Sequence, residues 1–127
     1  LHKPDARECA LLLLLLLRGT DREAGRLKSV RLSELTLKKL WNRNRLTDKL
    51  VENVDEWLLS AGWALVYAGS TYGAVQVSVV KNWPRVTYKN LAEELEDVAA
   101  GRFDFENIQH LLSPLRRASQ IDDEYNE

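Results

Sequence analysis

SELTLKKLWNRNRLTDKLVENVDEWLLSAGWALVYAGSTYGAVQVSVV, residues 33–80, decides the fold. It reads as a helix, a tight turn, a second helix and a two-stranded hairpin. In the second helix the apolar residues Leu46, Leu50, Val54, Trp57, Leu58 and Ala61 fall on one stripe, with Val51 at its edge. That is the pattern of a helix that turns about 100° per residue and buries one side. Asp48, Lys49, Glu52, Asn53, Asp55 and Glu56 take the opposite face. Leu59 breaks the pattern and is expected at the surface or at an interface. Thr47 stands where a hydroxyl can accept an orphan backbone N–H, and Gly62 where a left-handed residue ends a helix.

Upstream of that helix, Asn42-Arg43-Asn44-Arg45 is the turn, because asparagine tolerates the left-handed conformation that a sharp bend needs. Ser33 is the expected N-cap of the first of the two helices, whose apolar positions are Leu35, Leu37, Leu40 and Trp41. Residues 28–32 alternate enough for a short strand. Residues 5–18 predict a leading helix, capped by Asp5 and stopped by Gly19. Its seven consecutive leucines point all round the axis, so a second cover besides the core is expected. The run is too short for a bilayer, which needs roughly 20 apolar residues. Asp5 and Glu8 before it, and the charged segment after it, argue against a secretory signal and for a buried helix.

Downstream, residues 63–68 and 74–80 predict two strands. Val75, Val77 and Val79 share one face, and Gln76 and Ser78 the other. The five residues Gly69-Ser70-Thr71-Tyr72-Gly73 join them as a hairpin loop. A further helix is expected over 88–100, capped by Thr87, with Leu91, Leu95 and Val98 inward and Gly101 as its stop. Asp104 caps a last helix from Phe105, resumed after Pro114. The acidic end is expected to stay without structure.

The 127 residues suit one core. One cysteine and no methionine are present. The cysteine fits a reducing compartment, and a cytoplasmic or nucleoid-associated location is expected; the start at Leu1 without methionine suggests a piece of a longer product. The net charge of −1 hides an asymmetry: residues 26–49 carry eight basic groups against Glu34 and Asp48, and residues 50–127 carry six basic against thirteen acidic. The local excess of cations attracts a polyanion even though the whole chain does not.

The order helix, short strand, helix, turn, helix, hairpin resembles the winged helix-turn-helix family of DNA-binding domains. Leu35, Leu40, Leu46, Leu50, Val54, Leu58, Gly62 and Trp63, then the paired strands with Gly69 and Gly73, carry the likeness. It implies an α+β fold, with a winged-helix domain over 1–82, a C-terminal helical extension over 83–121 that packs on it or on a dimer partner, and an acidic tail over 122–127. It also implies a transcriptional regulator that reads double-stranded DNA with the helix from Thr47 in the major groove. Arg43, Asn44, Arg45, Thr47, Lys49 and Asn53 would then face bases and phosphates, Lys38 and Lys39 the backbone, and Ser70, Thr71 and Tyr72 phosphates at the wing tip. A homodimer is expected through the helix from Leu11 to Leu17 and the C-terminal helices.

The acids of the second helix, and a hairpin tip without Arg or Lys, support the rival reading, an interaction module that docks on a protein. Enzyme chemistry finds little support. His2 and His110 lack ligand spacing, so no metal or cofactor is expected. Cys9 has apolar flanks and suits a buried small hydrophobe. The glycines of the hairpin loop lack the Gly-Lys-Ser/Thr ending of a phosphate loop. Glu93, Glu94, Glu96 and Asp97 suit a solvated helix face, and the four tryptophans suit the core.

Overall fold

The structure is a computed structural model that describes residues 2–20 and 27–113. The chain divides into two units, Leu1–Pro84 and Arg85–Glu127. The first is α+β: helices with a three-stranded antiparallel sheet.

Helix α1 spans Ala6–Thr20. Its start is a reciprocal box: the Glu8 N–H donates to Asp5 Oδ1 at 2.8 Å and the Asp5 N–H to Glu8 Oε1 at 3.0 Å. Cys9, Ala10, Leu13 and Leu17 are buried, whereas Leu11 is 50% and Leu15 60% exposed. The leucine helix is thus covered on one side. Gly19 does not stop it: the helix runs on to Thr20, whose hydroxyl donates to the Leu16 carbonyl at 2.9 Å.

Strand β1 is Ser29–Leu32 and helix α2 Glu34–Trp41. Ser33 caps α2 by accepting the Thr36 N–H at 3.1 Å. Asn42 ends it in the left-handed region, φ 53°. Helix α3 is Asp48–Ser60, capped by Thr47, whose oxygen accepts the Leu50 N–H at 3.2 Å. Gly62 follows at φ 84°, a conformation that costs other residues about 1–2 kcal/mol. The centre of the core is Trp41, Leu13, Leu37, Leu58, Val54 and Cys9, all fully buried. The Trp41 indole N–H donates to the Cys9 carbonyl at 3.0 Å and so ties α2 to α1.

Strands β2 (Trp63–Tyr67) and β3 (Tyr72–Gln76) complete a sheet of order β1-β3-β2. Leu32, Tyr72 and Tyr67 form one row across it, and Arg31, Gly73 and Val66 the next, on the other face. The hairpin loop is shorter than expected, residues 68–71, closed by the Ala68 N–H on the Thr71 carbonyl at 2.8 Å. Tyr72 and Gly73 belong to the strand.

The expected strand over 74–80 stops at Gln76, and Val77–Val80 forms helix α4. The reason is the length of its neighbours. Gln76 pairs with the first residue of β2, and Val75 with the first residue of β1. Beyond them the ladder adds one bond on each side and then ends, the first of these being the Gln76 N–H on the Lys28 carbonyl at 2.9 Å. The Val77 N–H goes to the Gly62 carbonyl at 2.9 Å, and the Lys81 N–H returns to the Val77 carbonyl at 3.2 Å. Backbone groups that lose a sheet partner must find another, and a helical turn supplies it.

Trp57 also departs from expectation. It is 50% exposed, although it falls within the apolar stripe. Leu59 is exposed, as its break in the pattern suggested.

In the second unit, a 3-10 turn over Tyr88–Leu91 leads into α5, Ala92–Ala99, and a further 3-10 segment covers Phe105–Leu111. One continuous helix over 88–100 does not form, and the Thr87 side chain makes no cap. Asp104 does cap, accepting the Glu106 N–H at 3.1 Å. Leu91, Leu95 and Val98 stay exposed, and none of residues 85–113 is buried. Among the described residues of this unit, the one α-helix of eight residues offers no second layer to cover an apolar face. The helix expected after Pro114, the acidic tail and residues 21–26 lie outside the described residues.

Candidate nucleic-acid interface

Two hydrogen bonds close the bend between α2 and α3: Asn42 N–H to the Lys39 carbonyl at 3.4 Å, and Arg43 N–H to the Lys38 carbonyl at 2.9 Å. The start of the chain lies against this bend. The Asn42 amide donates to the His2 carbonyl at 3.1 Å. The Arg43 guanidinium donates to the Trp41 carbonyl at 3.0 Å and to the Pro4 carbonyl at 2.6 Å.

Arg43 was expected to meet phosphate or guanine. It is instead partly buried, and its guanidinium forks onto two carbonyls of its own chain. Thr71 was expected as a phosphate donor, but its hydroxyl donates to the Leu32 carbonyl at 3.0 Å. Tyr72, the third expected donor of the hairpin tip, is only 8% exposed and sits in the sheet between Leu32 and Tyr67. Ser70 alone remains exposed there.

The other expected positions are at the surface. Lys39, Asn44, Arg45, Thr47, Lys49 and Asn53 are exposed, and Lys38, less so, pairs with Glu34 at 3.4 Å one turn back. Thr47 spends an oxygen lone pair on its cap and keeps its proton to donate. The structure adds Lys3, exposed, with its two neighbours' carbonyls bonded to the bend. No local signal marks it, because these bonds span 40 and 39 residues.

The exposed face of α3 divides by charge. At about 100° per residue, Asp48 and Glu52 form one row and Lys49 and Asn53 another, about 100° away around the axis. Asp55 tells which row faces the sheet: its carboxylate accepts the Leu65 N–H of β2 at 2.8 Å. Asp48 and Glu52 lie on that same flank. They line a cleft of about 370 Å³ together with Glu34, Tyr67 and Tyr72. The Tyr67 and Tyr72 rings stand 5.0 Å apart, tilted by 50°. Burial pushes the Tyr72 hydroxyl above its ordinary pKa, and Glu34, Tyr67 and Asp48 add to the rise. Lys49 and Asn53 stand on the other flank, clear of the cleft.

Among the described residues no three His, Cys, Asp or Glu side chains converge on a possible metal site. His2 contacts Glu8 at 3.2 Å. Among the same residues no helix is long and apolar enough to cross a membrane. No protein family, no curated protein and no solved structure matches this chain.

Proposed function

We propose that this chain is a winged helix-turn-helix protein that binds duplex DNA through the bend and the outer row of α3. The surface comprises Lys3, Lys39, Asn44, Arg45, Lys49 and Asn53. The observation that carries the reading is the division of charge on α3. Asp48 and Glu52 line the cleft toward the sheet, which leaves Lys49 and Asn53 on a flank without those carboxylates. Order and sheet topology add support: a β1-β3-β2 sheet beside three helices leaves the leading end of α3 at the surface. Lys3, Lys39, Arg45 and Lys49 hold phosphates, which sets register without reading sequence. Asn44 and Asn53 have the donor and acceptor pair that matches adenine in the major groove.

Anisotropy of a labelled random duplex at two salt concentrations tests this. Four cations on four phosphates give a log–log salt slope of about −3.6, or roughly a 150-fold loss of affinity between about 50 and 200 mM salt. No binding at the lower salt overturns the reading. A genomic selection then asks whether Asn44 and Asn53 read sequence.

A second reading, docking on a protein, is favoured by Trp57, half exposed one turn beyond Asn53 in the same row. Binding to a partner with a slope near zero would support it. The exposed Leu11 and Leu15 side of α1 supports the homodimer, for which a monomer mass by light scattering at high concentration is the refuting result.

A further inference from the structure

The cleft between the first turns of α2 and α3 and the hairpin has a chemistry of its own. Glu34 is compensated by Lys38 at 3.4 Å. Asp48 and Glu52 have no ion-pair partner among the described residues, although they stand one turn apart and repel each other.

Tyr72 is a second and independent observation. The residue is more than nine-tenths buried. Among the described residues its hydroxyl makes no hydrogen bond. Yet none of their buried side-chain nitrogens or oxygens lacks a partner. The Tyr72 oxygen must therefore touch solvent, and the opening that this side chain lines is the cleft. A phenol oxygen thus reaches the cleft from an otherwise buried ring. Beside it stands the ring of Tyr67, an exposed residue that also lines the cleft.

Carboxylates, phenol lone pairs and π faces all favour a cation. Leu46 and Val51 add apolar wall. The volume of about 370 Å³ suits a small organic group. A bare metal ion fits less well, since among the described residues no three ligating side chains converge. Burial and the nearby carboxylates keep Tyr72 protonated, so it neither adds charge nor loses its proton.

We propose that this cleft binds an alkylammonium or alkylguanidinium group, its head held by Asp48, Glu52 and the Tyr72 hydroxyl against the Tyr67 ring, and its carbon chain along Leu46 and Val51. The inference does not depend on DNA binding, since it concerns the protein alone. The group belongs either to a free amine or to a lysine or arginine side chain of another polypeptide.

The test is a titration of the full chain, labelled with ¹³C in its tyrosine rings, with butylammonium and butylguanidinium chloride. Sodium chloride at matched ionic strength is the control. Saturable shifts of Tyr67 and Tyr72, absent with sodium, are expected. Glu52→Gln weakens binding about 1.4- to fivefold, the range for one exposed charge pair. Tyr72→Phe weakens it as well. Glu56→Gln removes the same charge from α3 outside the cleft and leaves the affinity unchanged. Equal shifts with sodium, or equal weakening by Glu56→Gln, reduce the effect to a counterion atmosphere and overturn the proposal. Glu52 is exposed, so its variant stays informative even if Tyr72→Phe does not fold. Comparing spermidine with acetyl-arginine amide distinguishes the two sources: the tighter ligand names the source, and failure of both to bind refutes the site.

Discussion

Replacing Arg43 with alanine distinguishes an arginine that holds the fold from one that holds phosphate. Its guanidinium reaches the Trp41 carbonyl at 3.0 Å and the Pro4 carbonyl at 2.6 Å from a partly buried position. A hydrogen bond with one charged partner contributes about 1.5–3 kcal/mol when well shielded, and less where water competes. Here the carbonyls can take water once the side chain is gone. The two bonds together then come to about 2 kcal/mol, and the Asn42 bond to His2 still joins the first residues to the bend. For a domain of 60–100 residues each kcal/mol moves Tm by about 4–8 °C, so the expected drop is about 8–16 °C.

Urea unfolding followed by tryptophan fluorescence reads the loss directly, and Trp41 is a buried reporter next to the site. Arg43→Lys recovers less than half, because one ammonium cannot span two carbonyls as a fork does. Arg45→Ala is the contrast: Arg45 is exposed, so stability stays within about 0.5 kcal/mol while the salt slope of DNA binding falls by about 0.9. If Arg43→Ala keeps its urea midpoint and weakens DNA binding as Arg45→Ala does, the guanidinium serves phosphate and the clasp is refuted.

Two more outcomes follow from single groups. Thr47→Ala removes the acceptor of the Leu50 N–H and costs about 1 kcal/mol by urea unfolding, whereas Thr47→Ser retains most of it. Burial raises the Cys9 thiol above its ordinary value of 9.0, so the folded chain keeps the proton where the unfolded chain loses it. Stability is therefore intact below pH 9 and declines above it; Cys9→Ala should flatten that slope, and an unchanged slope would exclude Cys9 as its source.

How much of this was legible in the sequence depended on how local the cause is. The caps at Ser33 and Thr47 and the left-handed Asn42 and Gly62 were readable, since each rests on bonds or backbone angles within a few residues. The end of β3 was not. Val77 and Val79 alternate as a strand should, yet a strand ends where its neighbours end, and those ends lie far away in the chain. Trp57 fails for a related reason. It falls about 60° to one side of Val54, and Val51 about 60° to the other. The sheet covers the Val51 side, as the Asp55 bond to Leu65 shows, and leaves the Trp57 side open. Arg43 looked like a phosphate ligand because the carbonyl that captures it belongs to Pro4, 39 residues away.

The charge rows of α3 lie between these cases. Their separation follows from the sequence alone, because Asp48 with Glu52 and Lys49 with Asn53 are each four apart. Which row meets the sheet does not, and that decides whether the acids oppose DNA. The rows are about 100° apart on a helix about 10 Å across, hence about 8 Å from each other. That is close to the Debye length of about 8 Å at physiological salt, so the field of the acids reaches the basic row cut to about a third. At about 0.01 M salt the Debye length is about 30 Å and about three quarters of the same field arrives. Glu52→Gln should therefore strengthen DNA binding more at about 0.01 M than at about 0.15 M salt, measured by anisotropy on one duplex. Equal strengthening at both would put Glu52 in direct contact with phosphate, and the division of α3 into two electrostatic flanks would fail with it.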